Sequence, residues 1–111
     1  MPEGGGIING IEYSQHALER MAPNSPSVIA ELSRRAEKIA EQKGYKLGTY
    51  EYIKFFNKYV DPRGIPPMVV EDTLKNGIKG YGNKVGTFTY TTNDVVVITN
   101  DLNKVITVIP K

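Results

Sequence analysis

The chain has no cysteine in its 111 residues and a single histidine, His16. Without cysteine there is no disulfide, no thiolate nucleophile and no zinc–thiolate site. The fold can therefore hold in an oxidising or a reducing compartment. With one histidine, a two-histidine acid/base pair acting on RNA is excluded. A proton partner for His16 must be a carboxylate, tyrosine, lysine or arginine, or the nucleophile must be activated by positioning and electrostatics. The carboxylates are scattered and show no ligand spacing, so no metal and no cofactor is expected. Gly4-Gly5-Gly6 and Gly80-Tyr81-Gly82 lack the frame of a phosphate-cradling loop. No apolar run approaches the length of a membrane span. Met1 to Gly6 has neither the charged start nor the apolar core of a signal peptide and reads as a flexible linker remnant.

What is present suits one globular domain over residues 1–111. Hydrophobic residues make up 40% and charged residues 23%, enough apolar surface for a core. A net charge of +2 and a pI near 8.8 are compatible with nucleic acid without requiring it.

Local signals divide the chain. Ile7 to Tyr13 reads as a short strand or hairpin turning at Asn9-Gly10. Ser14 caps a short helix that Ala22-Pro23-Asn24 ends. Ser25 and Pro26 open a second helix whose apolar stripe is Val28, Ile29, Leu32, Ala36, Ile39 and Ala40; Gly44 stops it. Thr49 caps an aromatic-rich third helix, Tyr50 to Tyr59, with Tyr52, Ile53, Phe56 and Tyr59 along one side. After the stiff Asp61–Pro67 connector, a fourth short helix runs to about Lys75 with Val69, Val70 and Leu74 inward. The Gly- and Lys-rich stretch from Ile78 to Gly86 reads as a mobile loop. Three strands then follow: Thr87–Thr92, Asp94–Thr99 and Val105–Ile109. The last two are apolar on both faces and should be central. Helices first and strands last predict an α+β fold, with N-terminal helices packed on a C-terminal antiparallel sheet.

The candidate chemistry begins in Ser14–Met21. At helical spacing Ala17, Leu18 and Met21 share one side, and His16, Glu19 and Arg20 the other. Histidine suits proton transfer near neutral pH, and an arginine four residues on can grip a phosphate. A surface imidazole, and an Arg20 salt bridge to Glu12, Glu19 or Glu71, are the structural alternatives. Arg63 in the proline-stiffened connector can present a second guanidinium, or be a plain surface charge. Thr107 is the polar exception in an apolar strand, and its hydroxyl needs a partner. Tyr90 sits mid-strand, where it can pack across strands, stack on a base or bond a phosphate. Lys75, Lys79 and Lys84 with Tyr81 interleave positive charge and an aromatic, a weak pattern of single-stranded RNA binders.

Three segments taken together carry a resemblance. His16-Ala17-Leu18-Glu19-Arg20-Met21-Ala22-Pro23, Pro62-Arg63-Gly64-Ile65-Pro66-Pro67 with Val70-Glu71, and Val97-Ile98-Thr99-Asn100 with Val105-Ile106-Thr107-Val108-Ile109-Pro110 resemble the C-terminal toxin domains of bacterial polymorphic toxins. These are the tips of contact-dependent growth inhibition and Rhs-type proteins. The resemblance runs from about residue 11 to the end. It implies a barnase/EndoU/colicin/RelE-like (BECR) fold and a ribonuclease that often cuts transfer RNA. It also implies secretion as the tip of a larger protein, action in the target-cell cytoplasm and a cognate immunity protein. Some members also need a translation elongation factor, so elongation factor Tu is a candidate partner. Residue by residue, the family motif puts catalytic function on His16, Arg20, Arg63 and Thr107. A non-catalytic RNA- or protein-binding module is the rival expectation; a metal-dependent DNA nuclease ranks below both.

Overall fold

The Asn9-Gly10 pair closes a two-residue hairpin, because both residues take the left-handed backbone (φ 50° and 80°) that such a turn requires. In a computed structural model describing all residues, Met1–Lys111, this hairpin is β1 (Gly6–Ile8) and β2 (Ile11–Tyr13). Then follow α1 (Gln15–Met21), α2 (Pro26–Gln42), α3 (Tyr50–Tyr59) and α4 (Pro67–Asn76). The chain ends in β3 (Ile78–Tyr81), β4 (Thr87–Thr91), β5 (Val95–Asn100) and β6 (Val105–Pro110). The fold is α+β, with four helices and one six-stranded sheet. No helix is long and apolar enough to cross a membrane.

The chain divides into two compact units, Met1–Ala22 with Arg63–Lys111, and Pro23–Pro62. The first holds the sheet, in the order β1-β2-β6-β5-β4-β3. Its strands pair antiparallel except β2 with β6, which run parallel. The sheet is therefore mixed, not purely antiparallel, because the N-terminal hairpin joins its edge. Two sequence expectations change here. Ile78–Tyr81 is a strand, since its backbone finds partners in Phe88 to Thr91. Residues 4–6 are also built in: Gly4 N–H donates to Gln15 at 2.7 Å, and Gly5 (φ 90°) sits against the Tyr13 carbonyl, where a side chain has no room.

β5 and β6 are central, but β5 alternates buried and half-buried residues instead of burying both faces. Val95, Val97 and Thr99 face the core, joined by Val105 and Val108 of β6. Onto this face pack Ala17, Leu18 and Met21 of α1 and Val70 of α4. Pairing of Ile98 with Thr107 but Thr99 with Val105 leaves Ile106 as an extra residue, a bulge near the end of the ladder.

The second unit is a helix pair. Ser25 Oγ accepts from Val28 N–H and Pro26 opens α2. Leu32, Ala36 and Ala40 form its buried stripe. Thr49 Oγ1 caps α3 through Tyr52 N–H. The packed side of α3 is Tyr52, Phe55, Phe56 and Tyr59, whereas Ile53 is exposed. Ring contacts of Tyr52 with Phe56 and of Phe55 with Tyr59 run along it at about 6 Å.

Candidate functional site

Ser14 performs two tasks with one hydroxyl. Its Oγ accepts the Ala17 N–H at 3.0 Å, capping α1, and donates to the Ile106 carbonyl at 2.9 Å. Its own N–H donates to Val105 at 2.8 Å. The start of α1 is thereby tied to the bulge of β6, so His16 lies two residues from that tie and Thr107 one. At the other end of α1, Arg63 N–H donates to the Arg20 carbonyl at 2.7 Å, and Gly64 N–H to Ala22 at 2.9 Å. Gly64 takes φ 63°, and buried Ile65 anchors the connector in the core. The seven-residue helix is thus bracketed by β6 and by the Arg63 loop. His16 and Arg63 are exposed, and Arg20 is half-buried.

The polar side of α1 differs from its helical-wheel reading at one residue. Glu19 is only 4% exposed and accepts from Gln15 Nε2 at 3.3 Å. Seven residues are too few to fix how a helix rotates on its sheet, so the packing decides that Glu19 goes under.

Thr107 pairs with Ile98, so it stands on the sheet face opposite to Val97 and Val108. Tyr90 pairs with Val97 and stands on the core face. Tyr90 and Thr107 are therefore on opposite faces and cannot touch one phosphate together.

Tyr90 belongs to a different group. Register places Lys79 opposite Tyr90, and Tyr81 opposite Phe88. Lys79 Nζ lies 4.8 Å from the Phe88 ring centre and 5.6 Å from that of Tyr90. Tyr81 and Phe88 are 5.9 Å apart, and Tyr81 is 88% exposed. The four side chains form an aromatic and cationic platform on one sheet face. Phe88 completes the platform, and its period-2 relation to Tyr90 is the sequence signal for it. Lys75 is exposed on α4 and Lys84 in the β3–β4 loop.

The same face carries a cavity of about 480 Å³. Gly10 to Glu12 of the hairpin, Glu71, Leu74 and Lys75 of α4, Tyr90, Thr99 and the Leu102-Asn103 turn enclose it. Its walls are tied. Asn9 Nδ2 donates to Glu71 at 3.1 Å, while Asn100 Oδ1 accepts from Leu102 and Lys104 N–H at 3.0 and 2.9 Å. Thr99 is 2% exposed and its Oγ1 meets no hydrogen-bond partner; the Tyr13 hydroxyl is equally orphaned. Burial raises the Tyr13 phenol pKa, and the nearby Glu71 charge adds to the rise. Glu71 and Lys75, one turn apart on α4, form no ion pair. Nothing local in the sequence joins Glu12, Glu71 and Thr99, which only the fold brings to one cavity.

No group of three or more metal-ligating side chains comes together. Compared with protein-family models, curated proteins and solved structures, the chain matches none.

Proposed function

We propose that the chain is a metal-independent endoribonuclease of the polymorphic-toxin kind, cutting transfer RNA. What supports this most is the bracketing of α1: hydrogen bonds from Ser14 to Val105 and Ile106, and from Arg63 to Arg20, hold the segments bearing His16, Arg20 and Arg63 beside one another, while Thr107 on β6 turns to the other sheet face. An imidazole and two guanidiniums suit phosphodiester cleavage by the 2′-hydroxyl. His16 exchanges a proton with the 2′-hydroxyl or the leaving 5′-oxygen. Arg20 and Arg63 stabilise the charge that grows on the pentacovalent phosphate. Lys75, Lys79, Lys84, Tyr81 and Tyr90 hold flanking RNA. The products are a 2′,3′-cyclic phosphate and a 5′-hydroxyl.

In this reading the domain is delivered as the tip of a larger secreted protein into a target-cell cytoplasm and is neutralised by a cognate immunity protein. The test is incubation of purified protein with end-labelled transfer RNA in chelator, with and without elongation factor Tu. Fragments with cyclic-phosphate ends are expected, and His16→Ala should lower the rate by roughly 10²–10⁴-fold. A His16→Ala protein that cuts at the wild-type rate overturns the mechanism.

One observation favours a second reading, a non-catalytic RNA-binding module. The Lys79, Tyr81, Phe88 and Tyr90 platform binds single strands without any need for cleavage. It predicts a shifted band and intact RNA in the same assay.

A further inference from the structure

We propose that the outward face of α3, with the turn before it, docks on an anionic lipid surface and lies in the headgroup layer without crossing it. α3 is apolar all round: Tyr50, Tyr52, Ile53, Phe55, Phe56 and Tyr59 make up six of its ten residues. A helix of that kind is ordinarily buried, yet not one residue of α3 is. The side bearing Tyr52, Phe55, Phe56 and Tyr59 is half-buried. At about 100° per residue, Ile53, Asn57, Tyr50 and Lys54 follow one another across the opposite side, and all four are exposed. Lys54 rides over the Tyr50 ring at 5.9 Å, so cation and apolar surface share one spot.

The turn before α3 adds a third apolar side chain to Tyr50 and Ile53. Thr49 Oγ1 accepts the Tyr52 N–H and donates to the Lys46 carbonyl at 2.7 Å, and Thr49 N–H reaches the same carbonyl at 3.1 Å. Gly48 takes φ 84° in that turn, a left-handed value that suits glycine. Leu47 is thereby held at the tip, 84% exposed, close in sequence to Tyr50 at 72%. These side chains project instead of lining a groove.

Charge identifies the surface they meet. From Lys43 to Tyr59 there are four lysines, Lys43, Lys46, Lys54 and Lys58, against one acid, Glu51, and no arginine. All four lysines are exposed. The arginines of the same unit, Arg34 and Arg35, are turned to Glu31. Protein interfaces favour arginine and are poor in lysine, and Leu47 and Ile53 give a nucleobase no ring to stack on. Aliphatic and tyrosine side chains rimmed by lysines suit an anionic bilayer: the apolar groups enter the headgroup boundary while the lysines stay level with the phosphates. Such docking needs no cleavage of RNA, so it stands or falls apart from the nuclease reading.

The experiment is co-sedimentation with vesicles of phosphatidylcholine alone, or in equal parts with phosphatidylglycerol. Wild type should pellet with the anionic vesicles and not with the neutral ones, and raising salt from about 0.1 M to about 1 M should release it. Each lysine near such a surface is worth about fivefold, so Lys46→Glu with Lys54→Glu should weaken binding by roughly 25-fold or more. Leu47→Ser with Ile53→Ser should weaken it as well. Lys104→Glu with Lys111→Glu, the same charge change in the other unit, should leave it near wild type. The chain has no tryptophan, so the emission of Ile53→Trp reports on this face alone and should shift to the blue on anionic vesicles. Circular dichroism verifies that each variant is folded. Wild type left in the supernatant, equal losses from both lysine pairs, or an unshifted Ile53→Trp emission overturns the proposal. So does another occupant of the same face: transfer RNA binding lost with Leu47→Ser and Ile53→Ser, or a concentration-dependent dimer in sedimentation velocity that those two changes abolish.

Discussion

Tyr13 and Thr99 flank Val105 in one cross-strand row of the core face, and each buries a hydroxyl that meets no partner. Two orphans in one row concentrate unmet polarity beside the cavity that Thr99 lines.

Thr99→Val should stabilise the protein. Replacing a buried, unpaired hydroxyl with a methyl of the same shape removes a desolvation cost of about 1–3 kcal/mol. In a domain of this size that raises Tm by roughly 4–8 °C per kcal/mol, read by calorimetry.

Tyr13 should set an alkaline limit to stability. Its folded pKa is raised above the ordinary 10.0, first by burial and then by the Glu71 charge. A raised acid pKa stabilises fully below 10.0 and loses its effect as pH climbs through the folded value. Denaturant midpoints measured upward from neutral pH should fall steeply above 10.0 in wild type and less so in Tyr13→Phe.

Glu31 sets the opposite limit in α2. Hydrogen bonds from Arg34, then Arg35, lower its carboxyl from 4.5 to about 2. Arg34 Nη2 lies 2.6 Å from it and Arg35 Nε 3.1 Å. A depressed acid pKa stabilises above 4.5, and the gain is lost as pH falls through about 2. Arg35 is buried, but Arg34 and the Glu31 carboxylate reach solvent, so the effect is small and salt-sensitive. Acid titration followed by circular dichroism should show a shallower loss of helix in Glu31→Gln.

Ser14→Ala should cost more than a helix cap. Loss of the cap is worth about 0.5–2 kcal/mol, and the Ile106 carbonyl also loses its donor. If α1 carries catalysis, cleavage at a temperature where the variant is fully folded should drop further than stability implies, because His16 loses its fixed distance from β6. Unchanged cleavage in the folded variant argues against that role.

Much of the helical fold was legible in local chemistry. Ser14, Ser25-Pro26 and Thr49 mark helix starts through hydroxyls that cap their own backbone, and Asn9-Gly10 marks a turn through its left-handed geometry. Such signals act within a few residues, so they read without a fold. β3 did not read, because Ile78-Lys79-Gly80-Tyr81 has little strand character of its own and exists through pairing with Phe88 to Thr91. The parallel contact of Tyr13 with Val105 has no local signature either.

His16, Arg20, Arg63 and Thr107 stood out in the sequence by residue type and by resemblance. Their surroundings did not. A strand's two faces alternate with every residue, so one bulge at Ile106 and one pairing register decide that Thr107 turns away from the core while Tyr90 turns toward it. Sequence alone determined the helices, the hairpin turn and the lone imidazole with nearby guanidiniums. Tertiary structure decided that Glu19 goes under, that Lys79, Phe88 and Tyr90 share a platform, and that Glu12, Glu71 and Thr99 enclose a cavity. The reason is range: caps and turns are bonds a chain makes with itself nearby, whereas faces and cavities arise only when distant strands fix one another's register.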